Sequence, residues 1–332
     1  MNMQIIKNRS YTNNILYSKT DLLSFFTPTF NRARFLPRIY DCLKNQTSHD
    51  FVWIVVNDGS KDETSEVMHS FLQKEELPIL FIEKENGGKH SAFEAALSEC
   101  KTAYFQCMDD DDIYFPNATE FFLKKWKEIK ASSDVEKVGA IRTLSLRPDG
   151  SYSANFELDK LIGTEENLTT LESNYVLGRQ QENWTCYDTK KLKSIDLFSH
   201  DYWLSNQHKF FVESIWQGRF ARKYLCRYVY QAFTEYRDDD AVSLMRSPKT
   251  RQHYMDLFIN GYLILNEQYD YIRLSKKSLL LSVIHENLIR NYLGISLKEL
   301  LEHLNGTFLK TLFVLTWPMS VFGGVIIARR QG

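Results

Sequence analysis

Four consecutive carboxylates, Asp109-Asp110-Asp111-Asp112, are the residues of this chain best suited to chemistry. They follow the apolar run 103–108 (AYFQCM), which reads as a strand, so they fall on the loop at its carboxyl end. Carboxylates this close repel one another unless a cation compensates. Hard divalent cations take oxygen ligands, and Mg²⁺ or Mn²⁺ bridges a diphosphate. The alternative is a solvated acidic turn, with Asp112 or Asn117 capping the next helix. A calcium EF-hand loop does not fit, because Ile113 and Tyr114 stand where a ligand and a glycine are needed.

Three other groups of residues could act on a ligand. In Asn57-Asp58-Gly59-Ser60-Lys61-Asp62, Asp58 ends an apolar run and could accept hydrogen bonds from a base or a ribose. Equally, it belongs to a turn in which Ser60 or Asp62 caps the following helix. Asn86-Gly87-Gly88-Lys89-His90 precedes a helical stretch, and glycines, a helix N-terminus and a lysine suit a phosphate. A plain loop fits those residues as well. It is not a P-loop, and the chain has no G-x-G-x-x-G. Glu213 sits in the otherwise apolar Lys209-Phe210-Phe211-Val212-Glu213-Ser214-Ile215-Trp216. A carboxyl in such surroundings would have a raised pKa and could serve as a base, or it could pair with Arg219 or Arg222. Glu182 and Asp201 are weaker competitors for that role.

The elements that carry these loops follow from hydrophobic patterning. Short apolar runs at 22–26, 51–56, 79–82 and 103–108 read as buried strands, each ended by a turn signal. Helical spacing is expected over 34–44, 61–73, 89–100 and 119–130. Such alternation predicts a mostly parallel sheet with helices on both faces, where ligands bind beyond the carboxyl ends of the strands. Farther on, 140–146 and 222–233 look strand-like, while 179–192 and 208–220 are expected to hold helices. From Pro248 onward the chain reads as helical, after a soft boundary at Arg246-Ser247-Pro248.

Composition bounds the rest. The 332 residues carry 41 Lys and Arg against 42 Asp and Glu, so a dedicated nucleic-acid binder is not expected. With 43% hydrophobic and 25% charged residues, a disordered chain and a polytopic membrane protein are excluded. Cys42, Cys100, Cys107, Cys186 and Cys226 are scattered and form no CxxC pair, which points to a reducing compartment rather than a disulfide framework or a zinc site. The first residues, MNMQIIKNRSYTNN, are too polar for a signal peptide. Residues 311–328 are uncharged and mostly apolar, broken by Pro318 and Gly323-Gly324 and followed by Arg329-Arg330. They read as an in-plane or re-entrant membrane anchor or as a buried terminal helix, and less well as a span.

In order and spacing, these motifs resemble family 2 glycosyltransferases. The resemblance runs through Phe25-Phe26-Thr27-Pro28-Thr29-Phe30-Asn31-Arg32, Val55-Val56-Asn57-Asp58-Gly59-Ser60, Glu85-Asn86-Gly87-Gly88-Lys89-His90 and Met108-Asp109-Asp110-Asp111-Asp112-Ile113. It covers residues 22–244 and is strongest in the first half. It implies an α/β GT-A fold with a Rossmann-like nucleotide-binding half at 21–130 and an acceptor half at 131–246. A 1–20 extension would precede that domain, and a helical region would follow at 247–332. It implies an inverting, metal-dependent transfer from a nucleotide sugar, with a UDP-sugar first in line, to a glycan or lipid-linked acceptor in surface polysaccharide synthesis. Thr27, Phe30 and Asp58 would hold the base, Pro28 and Asn31 would also belong to the donor site, and Lys89 and Arg237 would meet the diphosphate. Asp109 and Asp110 would contact ribose or metal, Asp111 would be the main ligand of Mn²⁺ or Mg²⁺, and Glu213 would be the base. Family habit places such a protein in the cytoplasm, peripheral at the membrane. Two other classes share these features: a non-catalytic nucleotide- or glycan-binding protein of the same fold, and a nucleotidyltransferase.

Overall fold

The computed structural model describes residues 3–17, 21–179, 181, 183–237 and 250–329. Glu182, residues 238–243, the boundary at 246–248 and Arg330 lie outside the described residues. The chain divides into two units. The first comprises Met1–Thr169, Arg179–Ile195 and Lys223–Ser243, and the second comprises Thr170–Gly178, Asp196–Arg222 and Leu244–Gly332.

The first unit is built on one mixed sheet. Its elements in chain order are β1 (Met3–Lys7), α1 (Arg9–Tyr17), β2 (Leu23–Thr29), α2 (Leu36–Lys44), β3 (Phe51–Asn57), α3 (Thr64–Lys74), β4 (Ile79–Lys84) and α4 (Lys89–Glu99). They continue as β5 (Tyr104–Cys107), β6 (Ile113–Tyr114), α5 (Ala118–Lys130), β7 (Val138–Leu146), β8 (Glu165–Leu168), β9 (Asn183–Asp188), α6 (Thr189–Lys193) and β10 (Leu225–Glu235). The sheet order is β1-β4-β3-β2-β5-β9-β7-β10-β6, with β8 also on β10. Strands β4, β3, β2 and β5 are mutually parallel, which explains why they read as unbroken apolar runs: helices cover both faces. Antiparallel β9 then joins β5 to β7.

The α2 stripe of Leu36, Ile39, Tyr40 and Leu43 and the α5 stripe of Phe122, Trp126 and Ile129 pack in one core with Phe25, Trp53, Phe81 and Trp184. Three core indoles find partners for their N–H groups, as buried Trp requires. Trp53 donates to Thr27 Oγ1 (3.0 Å), Trp126 to Cys186 Sγ (3.2 Å) and Trp184 to the Cys107 carbonyl (2.8 Å). The last bond ties β9 to the residue from which the acidic loop departs. The helix expected over 179–192 is therefore corrected to a strand followed by the short α6. Alternating Trp184, Cys186 and Thr185, Tyr187 serve two buried sheet faces.

The second unit is helical: α7 (Glu213–Ala221), α8 (Arg251–Glu267), α9 (Tyr269–Ile272), α10 (Lys276–Leu293), α11 (Leu297–His303) and α12 (Thr307–Arg329). Helix α7 begins at Glu213, so the expected 208–220 helix is shortened at its start. Gly261 of α8 faces α10 so closely that a Cβ there would stand 1.8 Å from Glu286 Oε1. Burial pushes the Glu286 carboxyl up to about 7, against a pull from His285. A carboxyl raised on folding costs stability as pH climbs from its unfolded value, near 4.5, to its folded one; below that window it costs nothing. Glu286→Gln is expected to remove this pH dependence and to stabilise the protein by up to about 3 kcal/mol at pH 8. Thermal melts at pH 5 and pH 8 check it, and equal melting shifts at the two pH values would contradict it.

Candidate functional site

Every loop singled out as a ligand site in the first half lies at the carboxyl edge of the parallel strands, and side chains knit these loops together. Asn31, which ends the β2 turn with φ of 55°, donates its backbone N–H to Ser60 Oγ (2.9 Å) and accepts from the Lys61 backbone at Oδ1 (2.7 Å). Asp62 accepts from the backbone N–H of Ala33 (2.9 Å) and from Thr64. It thus bonds the first backbone N–H of α3 (3.2 Å), while the N-cap position itself is Glu63, which makes no side-chain cap, so the expected cap by Ser60 or Asp62 is not formed. Phe30 is 46% exposed at the end of β2, open to stacking, and Pro28 beside it is half-buried.

Thr27 and Asp58 differ from expectation, since both are turned into the protein. Thr27 is fully buried and its hydroxyl is taken by Trp53, so it supports the strand rather than facing a base. The Asp58 carboxylate, at the end of β3, is saturated by its own chain. Oδ1 accepts from Lys84 Nζ (2.5 Å) and the Gly87 backbone N–H (3.0 Å), and Oδ2 from the Gly88 backbone N–H (2.7 Å) and Asn86 Nδ2 (3.2 Å). These bonds fold the 86–88 loop onto the end of β3. Gly88 adopts φ of 84°, the left-handed region that glycine enters without strain. Gly59 is as tightly fitted, because a Cβ there would meet the Asn86 backbone nitrogen at 2.8 Å.

The acidic loop leaves β5 into a ring of cations. Lys89 Nζ approaches Asp109 at 2.9 Å. Arg32 grips two neighbours, with Nε on Asp110 Oδ1 (2.7 Å) and Nη2 on Asp111 Oδ2 (2.8 Å). Arg38 donates to the Asp111 carbonyl, and Tyr114 Oη donates to the Asp109 carbonyl (3.0 Å). Asp112 accepts from the backbone N–H of Arg237 (3.2 Å), whose guanidinium pairs with Glu235 (2.7 Å). Burial pushes Asp110 up to about 7 against the attraction of Arg32, with Asp111 and Asp109 adding to the rise. Asp112 is pushed up to about 8 by burial and by Asp109. One oxygen of the buried Asp110, Oδ2, has no hydrogen-bond partner among the described residues.

A crowded oxygen donor set with raised carboxyls and an unpartnered buried oxygen suits a hard cation in its chemistry. Among the described residues, however, no group of three or more His, Cys, Asp or Glu side chains is arranged to hold a metal ion. Arg32, Arg38 and Lys84 are the cationic contributors that sequence reasoning did not assign. Arg32 stood inside a quoted motif, and Lys84 is a lysine ending an apolar strand, a position that calls for a buried partner.

Glu213 belongs to the second unit, where the buried setting expected for it is not found. It is exposed on the first turn of α7, and Gln217 Nε2 approaches its Oε2 at 3.5 Å. The ion pairs considered for it go elsewhere: Arg219 pairs with Glu267 (2.6 Å) and Arg222 with Asp270 (2.6 Å). The reason is helical geometry. Ile215 and Trp216 turn inward, while Glu213 and Ser214 turn out.

Comparison with known proteins adds four findings. The sequence profile of glycosyl transferase family 2 matches residues 24–148, which contain all four motifs. A hyaluronan synthase from Pasteurella multocida is 34% identical over 197 residues, covering 55% of this chain and 20% of the synthase. A chondroitin synthase from P. multocida strain Pm70 is 35% identical over 193 residues, 54% of this chain and 20% of that protein. The match thus spans about one-fifth of the length of these relatives. Among solved structures, S. aureus TarS 1–349 in complex with UDP-GlcNAc superposes with a TM-score of 0.56 at 14% identity, covering 89% of each chain. That likeness is one of fold.

Proposed function

Because residues 24–148 match the profile of glycosyl transferase family 2, we propose an inverting transferase that moves a sugar from a UDP-sugar to a hydroxyl of a growing polysaccharide or lipid-linked glycan. The observation that carries this reading is the Asp109–Asp112 loop at the carboxyl end of β5, ringed by Lys89, Arg32 and Arg38 and adjoined by Arg237. Phe30 offers a face for the base, and Pro28 and Asn31 shape that edge. Asp58 acts indirectly, by holding the 86–88 loop that leads into Lys89. Lys89 and Arg237 are the cations for the diphosphate, and Asp110 stays beside the ribose. Asp109 and Asp111 would hold a divalent cation, Mn²⁺ or Mg²⁺, which when bound neutralises charge on the leaving diphosphate. Glu213 takes the proton from the acceptor hydroxyl as that oxygen attacks the anomeric carbon. The bond to the diphosphate breaks on the opposite side, so the carbon inverts and UDP leaves.

Calorimetric titration with UDP, GDP, CDP and TDP, with and without Mn²⁺, tests the reading. Metal-dependent binding selective for UDP is expected. Asp111→Asn should weaken the metal-dependent part about tenfold, the cost of one lost charged contact. No nucleotide binding with any metal would overturn the donor site, and unchanged metal dependence in Asp111→Asn would overturn that ligand.

The same proposal places the protein at the cytoplasmic membrane face. No helix among the described residues is long and apolar enough to cross a membrane. Yet α12 buries Leu309 and Phe313 while exposing Phe308 (59%), Val314 (47%), Leu315 (68%) and Trp317 (44%). An apolar face of this kind suits insertion at the head-group boundary. Leu315→Glu combined with Trp317→Glu should abolish flotation with anionic vesicles. Flotation that survives the pair would assign the face to another role.

A further inference from the structure

The segment that delivers Glu213 is held by side chains of α8. Gln252, Asp256 and Asn260 stand four residues apart, one turn each, and so share one face of the helix. Gln252 Nε2 donates to the Gln207 carbonyl (2.8 Å). Asp256 Oδ1 accepts from the backbone N–H groups of Lys209 (2.6 Å) and Phe210 (3.2 Å). Asn260 accepts from the Val212 N–H (3.2 Å) and donates to the Phe210 carbonyl (2.8 Å). On the other side of Glu213, Gln268 Nε2 donates to the Ser214 carbonyl (2.8 Å), and its Oε1 accepts from Tyr175 Oη (3.1 Å). Gly218 makes room for that amide, since a Cβ there would stand 2.4 Å from Gln268 Nε2.

Asp256 and Asn260 are buried, at 6% and 3% exposure. An apolar helix face would cover a loop at less desolvation cost. It would not fix the loop's register, whereas a shift of one residue along 209–212 would break the bonds that Asp256 and Asn260 make to Lys209, Phe210 and Val212. We infer that Asp256 and Asn260, with Gln268 beyond, are positioning residues for sugar transfer: they fix the backbone on both sides of Glu213 and so present its carboxylate at one place. The inference rests on Glu213 being the base. Its physical basis is that misplacing a reacting group by about 1 Å can cost about 100-fold in rate.

The test uses the full chain and reads two quantities. One is deuterium uptake by peptides spanning 207–214. The other is UDP release from UDP-GlcNAc with hyaluronan oligosaccharides as acceptor probe. Asp256→Ala is expected to raise uptake over 207–214 and to lower kcat by about 30-fold with the donor KM unchanged. Asp256→Asn, which keeps an oxygen at Oδ1, should restore most of the lost rate. In a Glu213→Gln background, Asp256→Ala should cost nothing further, because the two act as a unit. If Asp256→Ala loses its melting transition, Gln252→Ala at the exposed end of the stripe carries the same test with smaller amplitude. Unchanged uptake, or an equal loss in both backgrounds, overturns the inference. A dead Glu213→Gln beside an unaffected Asp256→Ala removes the clamp alone. Full turnover in Glu213→Gln removes the base assignment, and the inference with it.

Discussion

Glu213→Gln is expected to lower the rate of sugar transfer by about 1,000-fold, the middle of the range for a lost general base. Nucleotide affinity should stay within about twofold, because the amide keeps the shape of the carboxylate and removes only its capacity to take a proton. The side chain is exposed on the first turn of α7, so the substitution leaves the core untouched and the fold should survive intact. UDP release in the presence of acceptor, set beside calorimetric UDP binding, separates the two effects. Transfer that persists would move the search to Asp201, an exposed carboxylate of the same unit.

The second large effect concerns stability. Asp58→Ala leaves the Lys84 ammonium without its carboxylate, and that lysine side chain is fully buried. Breaking a buried pair from one side typically costs about 3–5 kcal/mol, because the remaining charge is stranded. The same change frees the Gly87 and Gly88 N–H groups, so the 86–88 loop should loosen as well. Combining Asp58→Asn with Lys84→Met should recover much of the loss, since an uncharged pair needs no compensation. Denaturant unfolding of the two variants measures both numbers. A loss under about 1 kcal/mol for Asp58→Ala would mean that water reaches Lys84 and the pair is not the anchor described here.

Much of this arrangement was legible in the sequence because the parallel strands announce themselves. Runs such as residues 51–56 are apolar on both faces, and each ends in a turn that the topology places at one edge of the sheet. That logic located the Asp58, Gly87 and Asp109 loops together. It could not show where Asp58 points, because its partner Lys84 is remote in sequence and the pair exists only after β3 and β4 align. Neighbours in sequence also misled at Glu213, where apolar residues on both sides implied burial that a helix start does not give. Strand β9 was missed because Asn183, Thr185 and Asp188 dilute its pattern, while the lysines that follow suit a helix. Asp256 and Asn260 carried no local signal at all, since polar residues on a helix ordinarily face solvent.

Strand order has a consequence for how this chain is made. Strands β2, β3 and β4 pair with near neighbours and can assemble soon after synthesis, whereas β5 offers its second edge to β9, far later in the chain. Until β9 emerges, the Tyr104–Cys107 backbone is an open edge on a half-built sheet, and such edges recruit other chains. Trp184 arrives with β9 and closes over the Cys107 carbonyl in the same event. Ribosome-bound intermediates stalled before residue 188 should therefore depend on chaperones for solubility, and those released after β10 should not.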